Sequence, residues 1–433
     1  MSNLIENPYS VWEHFNDTTD LFDEEDSFYA EIKFPKRRED GFCAVIKKTS
    51  GKSSFLQTGY FIGVDRFPGR DQCIYVQPKL NKNTGGEKKE LVEVDYLKML
   101  FESIRSPELA ENLEELYIVK WDENEIELES KDDFLTPFLI VQFLGVLKSI
   151  VKKGLKKSYY RVKQNLNNRI KGKVLVGQTI KRNHFRQNFL SNVCSYEEFG
   201  VNGIENRLLK KTLEFVKPYL HSHSGLMKGN KGFEDLLNFI NPAFSLVSSN
   251  FDFSELKKVK KNPFYKEYIT AIDLAEKILR RFGYNIANSS KKELKTTPPF
   301  WIDMSKLFEL YVLGLLRKEY GNVVQFQFQA KYNELDYILK NEEYKMVIDA
   351  KYKLKYENSY HIEDIRQISG YARLEKVRKE LELKTEEEVP DCLIIFPNVN
   401  LKIEDFKFDN LKKEPIPGFH NIFKLKVPIP LQE

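Results

Sequence analysis

The 433-residue chain carries 68 lysine and arginine residues against 64 aspartate and glutamate residues, a net charge of +4 at neutral pH. This length is enough for two or three domains, and the near balance of charges excludes a uniformly basic nucleic-acid coat protein. The four cysteines are scattered without paired spacing, which argues against a zinc site or a disulfide framework. We find no signal peptide and no apolar run of the roughly 20 residues that span a bilayer, so a cytoplasmic protein without a membrane partner is expected.

The sequence predicts a multidomain α+β protein. Residues 1–25 are acidic and polar, which is typical of a weakly ordered arm. Residues 26–152 contain short apolar runs separated by turn residues, which predict a β-rich module with a small sheet or barrel. Helices are expected at Asp95–Glu102 and Phe134–Val151. Because this module lacks paired acids near a nucleophile or base, we expect it to bind a partner rather than to catalyse a reaction.

Residues 153–298 are predicted to be a mostly helical middle region with a basic start. Basic side chains and aromatics are interleaved there, which favours contact with DNA phosphates or with an acidic partner surface. A solvated charged face is the alternative. The candidate contact residues are Arg169, Lys171, Lys173, Lys181, Arg182 and Arg186.

Residues 299–433 hold the strongest chemical signal. Two short apolar strands flank a polar hairpin; Asp336 opens the first strand, and Asp349-Ala350-Lys351 closes the second. Alternating strand residues face the same side, so Asp349 and Lys351 project together, and antiparallel pairing would bring Asp336 beside them. Such a group of charges is costly unless a divalent cation and an anion bind there.

Elements around the hairpin extend this hypothesis. A helix over Ile302–Tyr320 carries Glu309, and a strand follows at Val323–Phe328. After the hairpin, an amphipathic helix places Gln367 and Tyr371 one turn apart, and Asp391–Phe396 is typical of a buried strand. The apolar face of that helix is expected to comprise Ile362, Ile365, Ile368 and Ala372.

These residues suggest a metal-dependent phosphodiesterase. Asp336, Asp349 and Glu309 are the candidate ligands for Mg²⁺, for which Mn²⁺ is a chemical substitute. Lys351 would orient the attacking water and stabilise developing negative charge, and Gln367 would position the water, the lysine or a phosphate. Tyr371 is a candidate DNA contact. Glu334 lies on the same strand face as Asp336 and is an alternative first acid.

The order helix, three strands, helix, strand is similar to the PD-(D/E)XK nuclease core, with Asp336 and Asp349-Ala350-Lys351 in the motif positions. Further motifs, in their order, resemble the McrC family, the nuclease subunits of methylcytosine-dependent McrBC restriction systems. They are Gly154-Leu-Lys-Lys-Ser-Tyr-Tyr160, Ile170-Lys-Gly-Lys-Val174, Cys194-Ser-Tyr-Glu-Glu-Phe199, Asn206-Arg-Leu-Leu-Lys210 and Phe300-Trp-Ile-Asp-Met304. The family often has Pro before the first core acid, where this chain has Leu335, so Glu334 and Asp336 both stay open.

The resemblance implies a Mg²⁺-dependent DNA endonuclease that works in phage defence with a McrB-like AAA+ GTPase hexamer. Members insert their N-terminal region into the partner's pore, stimulate nucleotide hydrolysis and cut double-stranded DNA after translocation. The absence of a Gly-x-x-x-x-Gly-Lys-Ser/Thr loop from this sequence is consistent with that division of labour. A double-strand break needs two nuclease centres, so dimerisation through the nuclease domain is expected. Two alternatives stay open: a stand-alone repair or recombination nuclease, and a non-catalytic assembly subunit that activates the GTPase.

Overall fold

The structure is a computed structural model that describes residues 8–19, 27–35, 41–81, 90–103, 116–129, 135–222, 231–259, 262–288, 294–331, 333–357, 360–385, 387–403 and 406–432. It is a mixed α+β protein with several sheets, which confirms the predicted class. The chain forms two compact units, one made of residues 1–141 together with 291–433 and one made of residues 142–290.

The N-terminal part of the first unit is rich in strands. Its described elements are β1 (Tyr9–Trp12), β2 (Asn16–Thr19), β3 (Phe28–Lys33), β4 (Phe42–Lys48), β5 (Ser54–Thr58), β6 (Phe61–Arg66), β7 (Cys73–Gln77), β8 (Lys79–Asn81), β9 (Leu91–Glu93), α1 (Tyr96–Ser103), β10 (Tyr117–Val119) and β11 (Ile126–Glu129). Strands β2, β5, β4 and β3 form an antiparallel sheet in that order. The short apolar runs predicted in residues 26–152 are strands, among them β3, β4 and β7.

Helix α2 (Leu135–Lys153) begins in the first unit and ends in the second. By length and composition it is apolar enough to cross a membrane, and it is the one helix within the described residues that meets this test. Most of it is buried within the protein, which is typical of a core helix. The helix confirms the element expected at 134–151; Phe134 itself lies outside the described residues.

The second unit combines helices with a small sheet. Its described elements are β12 (Ser158–Asn167), β13 (Lys173–Val174), α3 (Val176–Arg182), β14 (Ser191–Gly200), α4 (Ile204–Ser222), α5 (Lys231–Ala243) and α6 (Lys266–Asn288). The antiparallel sheet has the order β12-β14-β13. Its long strands were not predicted, because alternate positions of β12 are charged or polar and only Leu166 of that strand is buried.

The C-terminal part of the first unit is built on a five-stranded sheet. Its elements are β15 (Leu294–Thr297), β16 (Phe300–Asp303), α7 (Met304–Tyr320), β17 (Val324–Ala330), β18 (Asn333–Lys340), β19 (Lys345–Ala350), α8 (Ile362–Ala372), α9 (Glu375–Glu380), β20 (Asp391–Asn398) and β21 (Ile422–Pro428). The sheet order is β17-β18-β19-β20-β21, antiparallel as far as β19 and parallel from β19 to β21. The predicted hairpin, helices and strands are confirmed, and β21 was not predicted.

Local chemistry explains why these elements form where they do. Asp303 caps α7, because its side chain accepts a hydrogen bond from the backbone N–H of Lys306 at 3.0 Å. Asn341 closes the β18–β19 hairpin, since its Oδ1 accepts hydrogen bonds from two backbone N–H groups of the turn. Helix α8 buries Ile365, Ile368 and Ala372 against the sheet, but Ile362 is largely exposed at the first turn, so the expected apolar face is one residue shorter.

Two findings revise the expected organisation of the first 25 residues and of Phe300–Asp303. Residues 9–12 and 16–19 are strands rather than a weakly ordered arm, because Val11 and Phe15 are buried in the N-terminal core. Residues 1–7 and 20–26 lie outside the described residues. Residues 302–303 were expected at the start of a helix, but they belong to β16, which joins a second N-terminal sheet of order β1-β7-β6-β16-β10.

Two glycines allow elements of the first unit to pack closely, β6 against β16 and α7 against α1. Gly63 of β6 has φ +149°, and a Cβ atom there would lie 2.0 Å from the backbone oxygen of Phe300 in β16. Gly314 of α7 lies against α1, where a Cβ atom would be 2.8 Å from the backbone oxygen of Glu102. These contacts fix the position of β16 and α7, and α7 carries Glu309.

Candidate active site

Asp336 lies next to Asp349, which is near the end of β19. Asp336 was expected to open its strand, but β18 begins at Asn333 and Asp336 lies in its middle, because Asn333–Leu335 also pair with β17. Tyr337 pairs with Ile348, so Asp336 and Asp349 occupy the next opposing positions of the two antiparallel strands. Directly opposed residues project to the same face of a sheet. Asp336 Oδ2 accepts a hydrogen bond from the backbone N–H of Ala350 at 2.8 Å. Asp349 is buried and Asp336 is partly buried, so two carboxyl groups share one site with little water around them.

Lys351 links these carboxyl groups to α8. Its Nζ lies 2.8 Å from Asp349 Oδ2 and donates a hydrogen bond to Gln367 Oε1 at 2.9 Å. Gln367 Nε2 in turn donates to the Tyr371 hydroxyl at 2.8 Å. The backbone of Lys351 is held by a hydrogen bond to Ile395 O of β20, at 2.8 Å. The structure therefore brings Asp349, Lys351, Gln367 and Tyr371 into one continuous line of contacts.

The electrostatics show that the site holds more negative charge than it can easily accommodate. Burial raises the pKa of Asp336 well above its ordinary value, and Glu309 and Asp349 raise it further. Burial also raises the pKa of Asp349, although Lys351 opposes the shift. Burial alone would lower the pKa of Lys351, but Asp349 and Asp336 outweigh it and the pKa is raised. A bound cation would relieve this repulsion.

Glu309 lies near the other two acids but is paired with a lysine. Its Oε2 is 3.2 Å from Lys306 Nζ, one turn earlier on α7, and both side chains are mostly buried. Burial lowers the pKa of Lys306, but Glu309, Asp336 and Glu334 together raise it above its ordinary value. Sequence reasoning missed Lys306; its position three residues before Glu309 on a helix was the available signal.

Glu334, the alternative first acid, is exposed and has different partners. It accepts hydrogen bonds from the side chains of Gln327, at 2.9 Å, and Gln329. Gln327 has φ +52°, and the regular pairs Phe326–Tyr337 and Phe328–Leu335 lie on either side of it. The pairing of β17 with β18 is thus interrupted opposite Asp336. Backbone strain of this kind often accompanies functional sites.

The site has the chemistry that Mg²⁺ requires, but it has no complete set of protein ligands. Within the described part of the chain, no group of three His, Cys, Asp or Glu side chains is arranged to hold a metal ion. Asp349 Oδ2 is buried and contacts Lys351 Nζ as an ion pair, without a hydrogen bond of standard geometry. Since Mg²⁺ commonly takes one or two carboxylates and completes its shell with waters and substrate phosphates, Asp336 and Asp349 fit this ion. Glu309 would join them only by leaving Lys306.

The predicted DNA contacts of the middle region lie in the second unit. They are exposed and lie in four places: the segment between β12 and β13, the start of β13, the end of α3 and the turn after α3. In that order along the chain they are Arg169, Lys171, Lys173, Lys181, Arg182 and Arg186. Lys171 already has partners within the unit: its Nζ lies 2.9 Å from Glu198 and 4.0 Å from the centre of the Tyr196 ring. Tyr371 belongs to the first unit and is partly buried.

Large apolar side chains are exposed among these basic residues. Phe185 is 79% exposed and Phe189 is 66% exposed, values at which an aromatic side chain has little packing within its own chain. Other apolar side chains with high exposure in the same segment are Ile170, Val176 and Leu190. Sequence reasoning missed this surface, although the run Asn183–Leu190 alternates basic, polar and aromatic residues. Exposed apolar clusters of this kind mark interaction sites.

Fold and site together define a class: an α+β protein in which two carboxylates and a lysine converge on adjacent strands of a mixed sheet, near the end of β19. The sequence matches the family described as McrBC 5-methylcytosine restriction system component over residues 56–381, most of its length. The chain belongs to this family. A comparison with curated proteins found no match.

Two solved structures are similar to the chain at low identity. One is a refined half-complex from a tetradecameric assembly of Thermococcus gammatolerans McrB AAA+ hexamers with bound McrC; it is 14% identical with a TM-score of 0.33, covering 87% of this chain and 79% of that chain. The other is a cryo-EM structure of the Thermococcus gammatolerans McrBC complex, 14% identical with a TM-score of 0.27, covering 72% of this chain and 87% of that chain. At these scores the shared geometry is too small for details to be transferred.

Proposed function

We propose that this chain is the Mg²⁺-dependent DNA endonuclease subunit of a McrBC-type restriction complex. The observation that carries the proposal is the convergence of four side chains near the end of β19. They are Asp336 from the middle of β18, Asp349 and Lys351 from the end of β19 and the residue after it, and Gln367 from α8. Two carboxylates and an ammonium group in one partly buried place are suited to phosphodiester hydrolysis. Family membership supports the restriction system as the setting.

The chain's own residues have separable roles in this reaction. Asp336 and Asp349 would hold Mg²⁺, and the chemistry that the bound ion supplies is a lowered pKa of water and neutralisation of charge on the phosphate. Lys351 would donate hydrogen bonds to the attacking water and to the phosphate as negative charge develops. Gln367 would hold Lys351 in place through the bond at 2.9 Å, and Tyr371 would hold Gln367. Glu309 is proposed as a further ligand once its pair with Lys306 opens.

We assign the C-terminal sheet to the PD-(D/E)XK nuclease core. This assignment is supported by the order α7, β17, β18, β19, α8, β20, in which three antiparallel strands are followed by a helix and a parallel strand. The first acid stands on β18 and the Asp-x-Lys sequence stands at the end of β19. Asp336 is the proposed first acid, because Asp336 and not Glu334 contacts the end of β19.

We also propose three partners. A McrB-like AAA+ GTPase hexamer would recognise the modified DNA, supply movement and be stimulated by this chain in the cytoplasm. Double-stranded DNA would contact Tyr371 and the exposed basic residues of the second unit, and two nuclease domains would dimerise to cut both strands. The apolar surface around Phe185 and Phe189 suits contact with protein better than with phosphate, because phosphate contacts need charge.

The test is cleavage of methylated and unmethylated DNA by the purified chain with its GTPase partner, GTP and Mg²⁺. Lys351→Met keeps the length of the side chain and removes its charge. Asp349→Asn keeps the size of the side chain and removes the negative charge. We expect both variants to lose cleavage by about 100-fold or more while stimulating the partner's GTPase like the parent chain. The matched control is Lys379→Met, since Lys379 forms an exposed pair with Glu375 on α9. Cleavage at the parental rate by either site variant would disprove the assignment.

A second function, assembly and GTPase activation without catalysis, is favoured by the exposed apolar and basic surface of the second unit. The same experiment separates the two functions. A parent chain that stimulates the GTPase but cuts no DNA would support the second function. Loss of GTPase stimulation in Phe185→Ser with retention of folding would show that this surface contacts the partner.

A further inference from the structure

Asp364 is a buried acid close to the candidate site that the proposed chemistry does not use. It lies in the first turn of α8, three residues before Gln367, and only 7% of it is exposed. Residues three apart on a helix are neighbours on its surface. Asp364 and Gln367 therefore face the same piece of chain, the segment 351–357 that follows β19.

Three hydrogen bonds join Asp364 to that segment. Lys353 Nζ donates to Asp364 Oδ2 at 3.0 Å and to Oδ1 at 3.2 Å, and the Tyr356 hydroxyl donates to Oδ2. Tyr356 is fully buried. A buried carboxylate that receives three donors is stabilised in its charged form, and the pKa of Asp364 is lowered although burial alone would raise it.

Two parallel bridges therefore connect segment 351–357 to α8. One joins Lys353 to Asp364, and the other joins Lys351 to Gln367. Between β19 and the helix, Lys351 also has a backbone bond to Ile395 O, and Tyr356 O accepts a hydrogen bond from Lys424 Nζ at 3.2 Å. The bridge at Asp364 is the stronger of the two, because both partners are charged and the acceptor is buried.

We infer that Asp364 is a positioning residue: through Lys353 and Tyr356 it fixes segment 351–357 on α8 and thereby holds Lys351 against Gln367. The catalytic part of this inference rests on the proposed nuclease function. Asp364 itself contacts none of the groups proposed to touch DNA. Its charge contributes to the raised pKa values of Lys351 and Asp349, after larger contributions from burial and from the site's own charges. Its hydrogen bonds determine where the Lys351 ammonium lies, and displacements of about 1 Å are enough to slow an enzyme substantially.

Hydrogen exchange of backbone amides tests the structural part without any cleavage. The purified full chain is compared with three variants: Asp364→Asn, Tyr356→Phe, and the control Glu363→Gln, an exposed acid next to Asp364 on the same turn. We expect exchange in 351–357 to be roughly 10- to 100-fold faster in Asp364→Asn and several-fold faster in Tyr356→Phe. The control should exchange like the parent chain. Equal exchange in Asp364→Asn and the control would overturn the inference, whatever the cleavage result.

Cleavage kinetics test the catalytic part. With partner, GTP, Mg²⁺ and DNA, we expect kcat of Asp364→Asn to fall by roughly 10- to 100-fold with KM within about 2-fold of the parent value. Adding Lys353→Met to Asp364→Asn should lower kcat little further, because both substitutions remove the same ion pair. Fast exchange together with parental kcat would overturn the positioning role. If the parent chain cuts no DNA but exchange still accelerates in Asp364→Asn, the nuclease proposal fails and the link between segment 351–357 and α8 stands.

Discussion

Asp336 accepts a hydrogen bond from the backbone N–H of Ala350, with 2.8 Å between Oδ2 and the nitrogen. This bond ties the first strand of the hairpin to the residue between Asp349 and Lys351. It also orients the Asp336 carboxylate, so that one oxygen is held by the backbone while the carboxyl group stays beside Asp349. Glu334 has no such contact with β19; it is bound to two glutamine side chains on β17.

This difference predicts that the two acids respond differently to neutral substitution. Asp336→Asn should reduce DNA cleavage by about 100-fold or more, because a metal ligand is lost. Glu334→Gln should leave cleavage within a few-fold of the parent rate, since Glu334 is exposed and its hydrogen-bond partners are neutral. The measurement is single-turnover cleavage with saturating partner and Mg²⁺. A result in which Glu334→Gln is the inactive variant would reverse the assignment of the first acid.

The raised pKa values of Asp336 and Asp349 also predict how stability depends on pH. A carboxyl group whose folded-state pKa is raised favours folding while it is neutral, and this stability is lost as the pH rises through the folded pKa. Asp336→Asn should therefore be more stable than the parent chain by about 1 kcal/mol at pH 8, and the gain should shrink towards acidic pH.

Urea unfolding at several pH values measures this effect, with Glu334→Gln as the control. At pH 8 we expect the free energy of unfolding to be higher in Asp336→Asn than in the parent chain and unchanged in Glu334→Gln. If Asp336→Asn were less stable than the parent chain at pH 8, the attraction to Lys351 would offset the whole cost of burying the charged Asp336 carboxylate. A variant that is more stable but less active than the parent chain indicates that the acid serves the reaction at the expense of stability.

Magnesium ions should stabilise the parent chain through the same two acids. A ligand that binds the folded state alone at a concentration 100 times its Kd adds about 2.7 kcal/mol. We expect the melting temperature to rise with Mg²⁺ in the parent chain and in Glu334→Gln, and the rise to be largely lost in Asp349→Asn. An equal rise in the double variant Asp336→Asn with Asp349→Asn would show that the ion binds elsewhere. This measurement needs neither DNA nor the GTPase partner.

The sequence was most informative where a local pattern decides the structure. The Lys340–Tyr344 hairpin, the helix with Gln367 and Tyr371, and the strand at 391 follow from turn residues and apolar periodicity, and they are confirmed. Contacts between distant segments were not predictable in this way. The pairing of β16 with β6 depends on tertiary packing, and so does the position of α7 that brings Glu309 and Lys306 close to Asp336. The ion pair of Glu309 with Lys306 is local to the helix and follows from its spacing.

One such long-range contact predicts a stability effect in the N-terminal sheets. Asp65 is completely buried on β6; it lies 2.9 Å from Lys120 Nζ and accepts a hydrogen bond from Trp301 Nε1 at 2.8 Å. Asp65→Ala leaves the Lys120 charge and the indole N–H without this acceptor, so unfolding should become easier by about 3 kcal/mol. Tryptophan fluorescence during urea unfolding measures the change.

The control for Asp65→Ala is Glu123→Ala, which removes the more exposed acid paired with Lys120 at 3.3 Å. Its effect should stay below about 1 kcal/mol, because exposed ion pairs contribute little. If Asp65→Ala costs no more than Glu123→Ala, the buried pair does not hold β16 in the sheet.

Asn206 should have a comparable role in the second unit, since its buried amide is fully paired. Its Nδ2 donates to Lys156 O at 2.9 Å and to Val201 O at 2.7 Å, and its Oδ1 accepts from the Tyr268 hydroxyl at 2.7 Å. Tyr268 also accepts a hydrogen bond from the Lys156 N–H, and burial raises the pKa of Tyr268 to about 12. Asn206→Ala removes the donor to two carbonyls and the acceptor of the Tyr268 hydroxyl, which should lower the free energy of unfolding by about 2–4 kcal/mol.

Asn202→Ala is the matched control, because the Asn202 side chain has an exposed hydrogen bond to the backbone N–H of Ser248. Limited proteolysis and hydrogen exchange report on the second unit directly, and only Asn206→Ala should loosen residues 154–160 and α6. Hydrogen exchange in α7 and β18 reports on the first unit and should be equal in both variants. If Asn206→Ala were as stable as Asn202→Ala, the three hydrogen bonds of Asn206 would not stabilise the second unit, and this prediction would be wrong.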